Sequence, residues 1–171
     1  MAVLRFRDDE LVHAVYAYVP QRLIDFKEQE ISNLVYALAL LKCRDEAFLH
    51  VVCKNVEWRL DHFESFSLSN LLYSLGLLKF REDGFLHEAS QRALCQLPAF
   101  NSQDLSNSLY ALGLLEFRHP AFLEKASIGV QRRLGDFSDQ GLSNSIHALG
   151  LLGCRNLSLL CAASRHLPSR F

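Results

Sequence analysis

Five arginines occupy one repeated position in this sequence: Arg7, Arg44, Arg81, Arg118 and Arg155. A guanidinium is always charged, and its planar fork matches the oxygens of a phosphate. If packed helices separated by roughly 8–10 Å carry them, one cation falls every 10–20 Å or so along the molecule. Such a row suits a phosphate backbone, which proteins hold mainly with Arg and Lys. The same residues have a second reading. Each guanidinium meets the carbonyl end of a helix, or pairs with an acidic neighbour such as Asp45 or Glu82.

A second ladder carries hydrogen-bonding and aromatic groups. Ser-Asn recurs at Ser32-Asn33, Ser69-Asn70, Ser106-Asn107 and Ser143-Asn144. Three residues after each Asn stands Tyr36, Tyr73, Tyr110 or His147, one helical turn along the same face. An Asn amide offers a donor and an acceptor side by side, which suits a base edge. Aromatic rings offer stacking planes to bases. Read structurally, the Ser lets neighbouring helices approach, the Asn satisfies nearby backbone groups, and the rings are buried with their hydroxyls at an edge.

Other positions change from unit to unit. One reads Lys27, Glu64, Asn101, Ser138; the next Glu28, Ser65, Ser102, Asp139; two further on stand Glu30, Ser67, Asp104, Gly141. Leu34 and Leu71 give way to Ser108 and Ser145. Varying polar residues on a fixed frame are what one-base-per-repeat recognition requires, and also what a solvated surface shows.

Nothing in the sequence forms a catalytic constellation. Nucleophile-elbow, zinc-protease, P-loop and dinucleotide motifs do not occur. The five cysteines make no Cys-x-x-Cys pair, and Cys43 and Cys154 alternate with Phe6, Phe80 and Phe117 in an apolar slot. His13, His50 and His87 share one repeat position, expected to face outward, and have no metal-ligand spacing. The expectation is a non-enzymatic protein with no cofactor, no metal and no small-molecule substrate.

The elements that position these ladders repeat with a step of 37 residues. Phe26, Phe63, Phe100 and Phe137 keep it, as do Leu38, Leu75, Leu112 and Leu149, and Leu41, Leu78, Leu115 and Leu152. Within each unit apolar residues recur at helical spacing, as at Ile31, Val35, Leu38 and Leu41. Each unit reads as two helices, the first over about 29–41 and the second over about 46–60, with counterparts at 37-residue steps. Asn101 with Asp104, and Ser138, supply cap chemistry for a first helix; Lys27 and Glu64 do not. The N-terminal counterpart of the second helix runs through Leu11, Val12, Val15, Val19 and Leu23.

One such hairpin cannot bury its apolar face alone, whereas stacked copies can. The predicted fold is all-α, an α-solenoid of tandem 37-residue hairpins expected to wind as a right-handed superhelix. The whole chain, 1–171, reads as one array: a partial unit over 1–25, units over about 26–62, 63–99 and 100–136, and a last one over 137–171. Residue 1 falls inside a unit and residue 171 short of the next Ser-Asn, so the array is expected to be longer than this chain or atypically capped.

Composition sets bounds. The chain has 171 residues, 50% of them apolar and 22% charged, with 18 basic and 19 acidic residues and a net charge of -1. It can bury a core and is no indiscriminate polycation. No apolar run reaches the length of a membrane span.

Residues 100–118, FNSQDLSNSLYALGLLEFR, resemble the octotricopeptide repeat of algal organelle proteins, matched at Gln103, Asp104, Leu105, Ser106, Asn107, Tyr110, Ala111, Leu112, Gly113 and Leu115. The step of 37 is similar to that of the heptatricopeptide repeat, whose proteins often end in a RAP domain, which this chain lacks. The resemblance implies an α-solenoid that binds single-stranded RNA in a mitochondrion or chloroplast and acts in RNA processing, stability or translation. Any organellar address would precede residue 1. On this reading the arginine ladder holds phosphates, while Asn33, Asn70, Asn107, Asn144, Tyr36, Tyr73, Tyr110 and His147 face or frame bases. The alternative is a protein-interaction scaffold of HEAT or armadillo type, to which Glu28, Glu30, Glu64 and Asp104 near the groove are suited.

Overall fold

The apolar spacing forms helices wherever it was expected to. The computed structural model describes residues 8–166; Arg7 and the other residues outside that span are not described. Among the described residues it contains nine α-helices and no strand: α1 Asp9–Tyr18, α2 Glu28–Leu40, α3 Glu46–Glu57, α4 Ser65–Leu77, α5 Asp83–Gln96, α6 Ser102–Leu114, α7 Pro120–Arg132, α8 Asp139–Leu151 and α9 Leu157–His166. The first helices of successive units (α2, α4, α6, α8) pack on one another in sequence and make one row. α3, α5, α7 and α9 make a second row against it. The starts of the first-row helices, Glu28, Ser65, Ser102 and Asp139, keep the 37-residue step.

The second helices end earlier than the pattern predicts. α3 stops at Glu57, and a 3₁₀ turn follows at Leu60–His62. Arg59 leaves helical geometry at φ −134°, ψ 23°, and Arg133 does the same at φ −126°, ψ 25°. Near the N-terminus the α-helix gives way to a 3₁₀ segment at Val19–Asp25. Pro20 has no N–H with which to continue the i→i−4 ladder.

First-row helices all stop by the same device. The chain enters the left-handed region at Lys42, Lys79, Glu116 and Gly153, with φ of 56°, 53°, 51° and 65°. The following N–H reaches back to the helix: Cys43 to the Leu38 carbonyl, Phe80 to Leu75, Phe117 to Leu112, Cys154 to Leu149. This is the Schellman arrangement, and it wants an apolar residue just past the turn. That requirement explains the slot shared by Cys43, Phe80, Phe117 and Cys154.

Second-row helices start on a cap that the motif search overlooked. Asp45 accepts from the Phe48 N–H, Glu82 from Phe85, His119 Nδ1 from Phe122 and Asn156 from Leu159. Asp8 does the same for α1. In the first row the expected caps form: Asn101 accepts from Asp104 N–H and Ser138 from Gly141 N–H. Lys27 and Glu64 make no side-chain cap, though the Glu30 carboxylate accepts from the Lys27 N–H at 2.8 Å.

The core lies between the two rows. Phe63, Phe100 and Phe137 are buried in it, as are Phe48, Phe85, Phe122 and Leu159 at one position of the second row. Each such side chain contributes about 1.5–3 kcal/mol by leaving water. The first row is drawn close by small residues. A Cβ placed on Gly76 would lie 2.9 Å from Ala111 Cα, and one on Gly113 would lie 2.9 Å from Ala148 Cβ.

Candidate nucleic-acid interface

Three of the four serines of the Ser-Asn ladder stitch the first row together, while Ser143 on α8 is exposed. Ser32 Oγ donates to the Ser67 carbonyl at 2.7 Å and Ser106 Oγ to the Gly141 carbonyl at 3.0 Å. Ser69 Oγ donates to the Asp104 carboxylate at 3.0 Å. All three serines are buried. Their acceptors are the variable position Ser67, Asp104, Gly141, which lies inside the helix–helix interface, buried from any base. Ser108 and Ser145 are also fully buried.

The Asn side chains diverge. Asn33 is exposed, Asn70 is buried, and Asn107 and Asn144 are half-buried. Asn70 Nδ2 reaches the Ser32 carbonyl at 3.5 Å, a long contact. Asn107 Oδ1 accepts from Gln103 at 2.7 Å and Asn144 Oδ1 from Gln140 at 3.0 Å. Both leave the amide NH₂ without a partner among the described residues.

One helical turn further on, the aromatic residues line up across helices. Tyr36 and Tyr73 have ring centroids 6.3 Å apart at 39°, and Tyr73 and Tyr110 are 6.2 Å apart at 37°. All three are half-buried, and His147 is exposed. No hydroxyl of the three has a hydrogen-bond partner among the described residues. Burial, with Tyr36 and Tyr110 on either side, pushes the Tyr73 phenol up from its ordinary value. The result is a strip on α2, α4, α6 and α8 that offers Tyr hydroxyls and Asn amides to solvent. Exposed Leu40 and Phe66 flank it at i+4 spacing from Tyr36 and i−4 spacing from Asn70.

The described arginines of the ladder all sit in the turns that follow the first-row helices, and all are exposed. Arg44 pairs with Glu46 at 2.7 Å. Arg81 pairs with Asp83 at 2.6 Å, and its Nη1 donates to the carbonyls of Leu115 and Glu116 at 3.2 and 3.3 Å. The Arg81 hydrogen bond holds the Asp83 carboxyl below its usual range. The acidic partners are therefore Glu46 and Asp83, because Asp45 and Glu82 are taken up in capping. Arg118 and Arg155 form no ion pair and no hydrogen bond among the described residues.

A second polar ladder escaped the sequence reading. Arg59 donates to the Leu23 carbonyl at 3.1 Å and Gln96 to the Phe63 carbonyl at 2.5 Å; Arg133 donates to the Phe100 carbonyl. These side chains tie each second helix to the break preceding its neighbour. The shared step of Arg59, Gln96 and Arg133 was the available signal, hidden because Gln replaces Arg once.

Among the described residues no cluster of His, Cys, Asp and Glu could hold a metal ion. Burial pushes the Cys53 thiol up, away from the reactive thiolate. His13, His50 and His87 are exposed as expected. No described helix is long and apolar enough to cross a membrane.

The fold and the strip define a helical repeat protein whose units differ in the polar groups they present. Within that class the chain belongs to the family described as RNA-editing substrate-binding complex 6 protein, which residues 2–120 match. This corrects the octotricopeptide and heptatricopeptide resemblance. The residues that carried it have work common to close-packed helix rows: the buried Ser joins neighbouring helices, the small residue at Gly76 and Gly113 lets them approach, and Leu and Phe fill the slots. They report packing rather than descent. No curated protein matches the chain.

Proposed function

We propose that the chain is a non-catalytic, single-stranded RNA-binding repeat segment that serves mitochondrial RNA editing. Membership in the editing-complex family supports the RNA and the process; the chloroplast half of the earlier expectation has no such support. The observation that carries the reading is the strip of unpartnered polar edges on one face of α2, α4, α6 and α8. Three tyrosine hydroxyls, Asn33 and the free amides of Asn107 and Asn144 present donors and acceptors in a row. The rings lie against one another, so bases meet their hydroxyl edges and flanks rather than open faces. We read the two rows as an α-solenoid over the whole chain, in units near 26–62, 63–99, 100–136 and 137–171. On this reading the strip lies on the inner, concave side of the first row.

A second reading, a protein-docking scaffold, is favoured by the apolar side chains bordering the strip. Phe66, Leu40 and Leu151 are 52%, 48% and 59% exposed. The test replaces two hydroxyls without disturbing packing. Tyr73→Phe with Tyr110→Phe should weaken single-stranded RNA binding about tenfold, each lost hydrogen bond contributing about 0.5–1.5 kcal/mol, with the melting temperature unchanged. RNA binding by the variant equal to that of wild type would move the strip to the protein-docking reading.

A further inference from the structure

The arginine ladder divides into two classes, and the residue two positions on decides which. Arg44 and Arg81 are followed by Glu46 and Asp83, which hold their guanidinium groups. Arg7, outside the described residues, is followed by Asp9 in the same register. At Arg118 and Arg155 that position is Pro120 and Leu157, neither of which can accept a hydrogen bond from a guanidinium with its side chain. Both arginines line one cleft of about 480 Å³ between the starts of α7 and α9. Arg118 lies over the turn at Gly153, where a Cβ would stand 3.7 Å from its Nη1. It makes no hydrogen bond there, unlike Arg81 at the equivalent turn. Ser158 also lines the cleft. Asn156 donates to Ser127 Oγ at 3.0 Å, fixing one wall. Glu124 is the single carboxylate in the lining, so the cleft, its two arginines included, carries a net charge of +1.

We infer that this cleft is a phosphate site, taking a phosphodiester of the bound RNA strand through Arg118 and Arg155 together, while Arg44 and Arg81 serve the fold. The inference rests on the RNA reading above for its ligand and on the two unpaired guanidinium groups for its chemistry. Two cations lining one cleft, each without a partner among the described residues, make a site for a phosphodiester shared between them.

The experiment compares wild type with Arg118→Gln/Arg155→Gln, with Arg44→Gln/Arg81→Gln and with Glu124→Gln. Binding of a single-stranded RNA pool is followed across a salt series, and inorganic pyrophosphate is titrated separately with melting temperature as readout. The first double variant should lower the logarithmic salt slope by about two and weaken all RNAs alike. The second should keep the slope and lose melting temperature. Glu124→Gln should tighten binding by removing the one repulsive carboxylate; weaker binding would mean that Glu124 orders the arginines and that they belong to the fold. If wild type binds RNA and the Arg118/Arg155 variant keeps its slope, the phosphate site is overturned while the RNA reading stands. If wild type binds no RNA but pyrophosphate raises its melting temperature and not that of the variant, the anion site stands and the RNA reading falls. Neither response overturns both.

Discussion

His119 shows how a single residue combines a structural duty with pH sensitivity. Its Nδ1 accepts the Phe122 N–H at 3.2 Å, so the cap exists only while that nitrogen is unprotonated. The ring is buried and lies 5.2 Å from His87, and burial, then His87, lowers its pKa from the ordinary value of 6.5. The folded state thus binds the proton more weakly than the unfolded state. Stability from this residue is complete above about pH 6.5 and is lost as pH falls from there through the lowered folded value. Thermal melts between pH 5 and 8 should show wild type losing stability on the acid side, while His119→Asn, which keeps a cap acceptor without titrating, loses less. Parallel curves would show that the cap is not the titrating element. At this scale the sequence was partly legible. The Ser-Asn ladder could be read as stitching or as base contact, and three of the four serines proved to stitch. The caps at Asp45, Glu82, His119 and Asn156 were missed because four residue types share one task, which no identity pattern reveals.

At the scale of elements, the first row is governed by small residues. Gly76 and Gly113 face the backbone of the next helix, whereas a Cβ on Gly150 meets nothing within 4 Å. The three glycines share one repeat position and so make a controlled comparison. Gly113→Ala should cost about 1–3 kcal/mol, because Ala148 Cβ and Cα cannot both retreat. Gly150→Ala should stabilise by roughly 0.5–1 kcal/mol, the gain in helix propensity with no clash. In a chain of this size those values correspond to melting shifts of about 2–4 °C per kcal/mol, down for the first and up for the second. Equal shifts in both would remove close approach as the cause. The helices themselves were legible because apolar residues at 3.6-residue spacing mark the buried face. The ends of the second helices were not: Arg59 and Arg133 leave helical geometry where they reach back to the Leu23 and Phe100 carbonyls, 36 and 33 residues earlier in the chain, a contact that local pattern does not encode.

Across the whole molecule, repetition builds a frame and departures from repetition mark the surface. Where all units agree, at the Phe, Leu and Ser positions, most of the residues are buried between rows or between neighbours; Phe26 and Leu41 are half-buried and Ser143 is exposed. Departures divide by place. Ser67, Asp104 and Gly141 each receive a serine hydroxyl, Ser67 and Gly141 through the backbone carbonyl and Asp104 through its carboxylate, so only at Asp104 does the side chain make the contact. Pro120 and Leu157 differ from Glu46 and Asp83 in a way that leaves Arg118 and Arg155 unpaired among the described residues. The near-neutral charge of -1 hides this, since a total says nothing of which cations are paired: on the ladder Arg44 and Arg81 are, by Glu46 and Asp83. The family assignment was not legible from the repeated core, because that core records how helices pack and many helical repeats solve the same problem.

Binding of the chain to single-stranded RNA across a salt series, with double-stranded RNA as control, tests the central claim most directly. The account predicts binding of single strands that weakens with salt at a slope of about two, with no comparable binding of the duplex. Failure of a folded, monomeric chain to bind single-stranded RNA at low salt would contradict it.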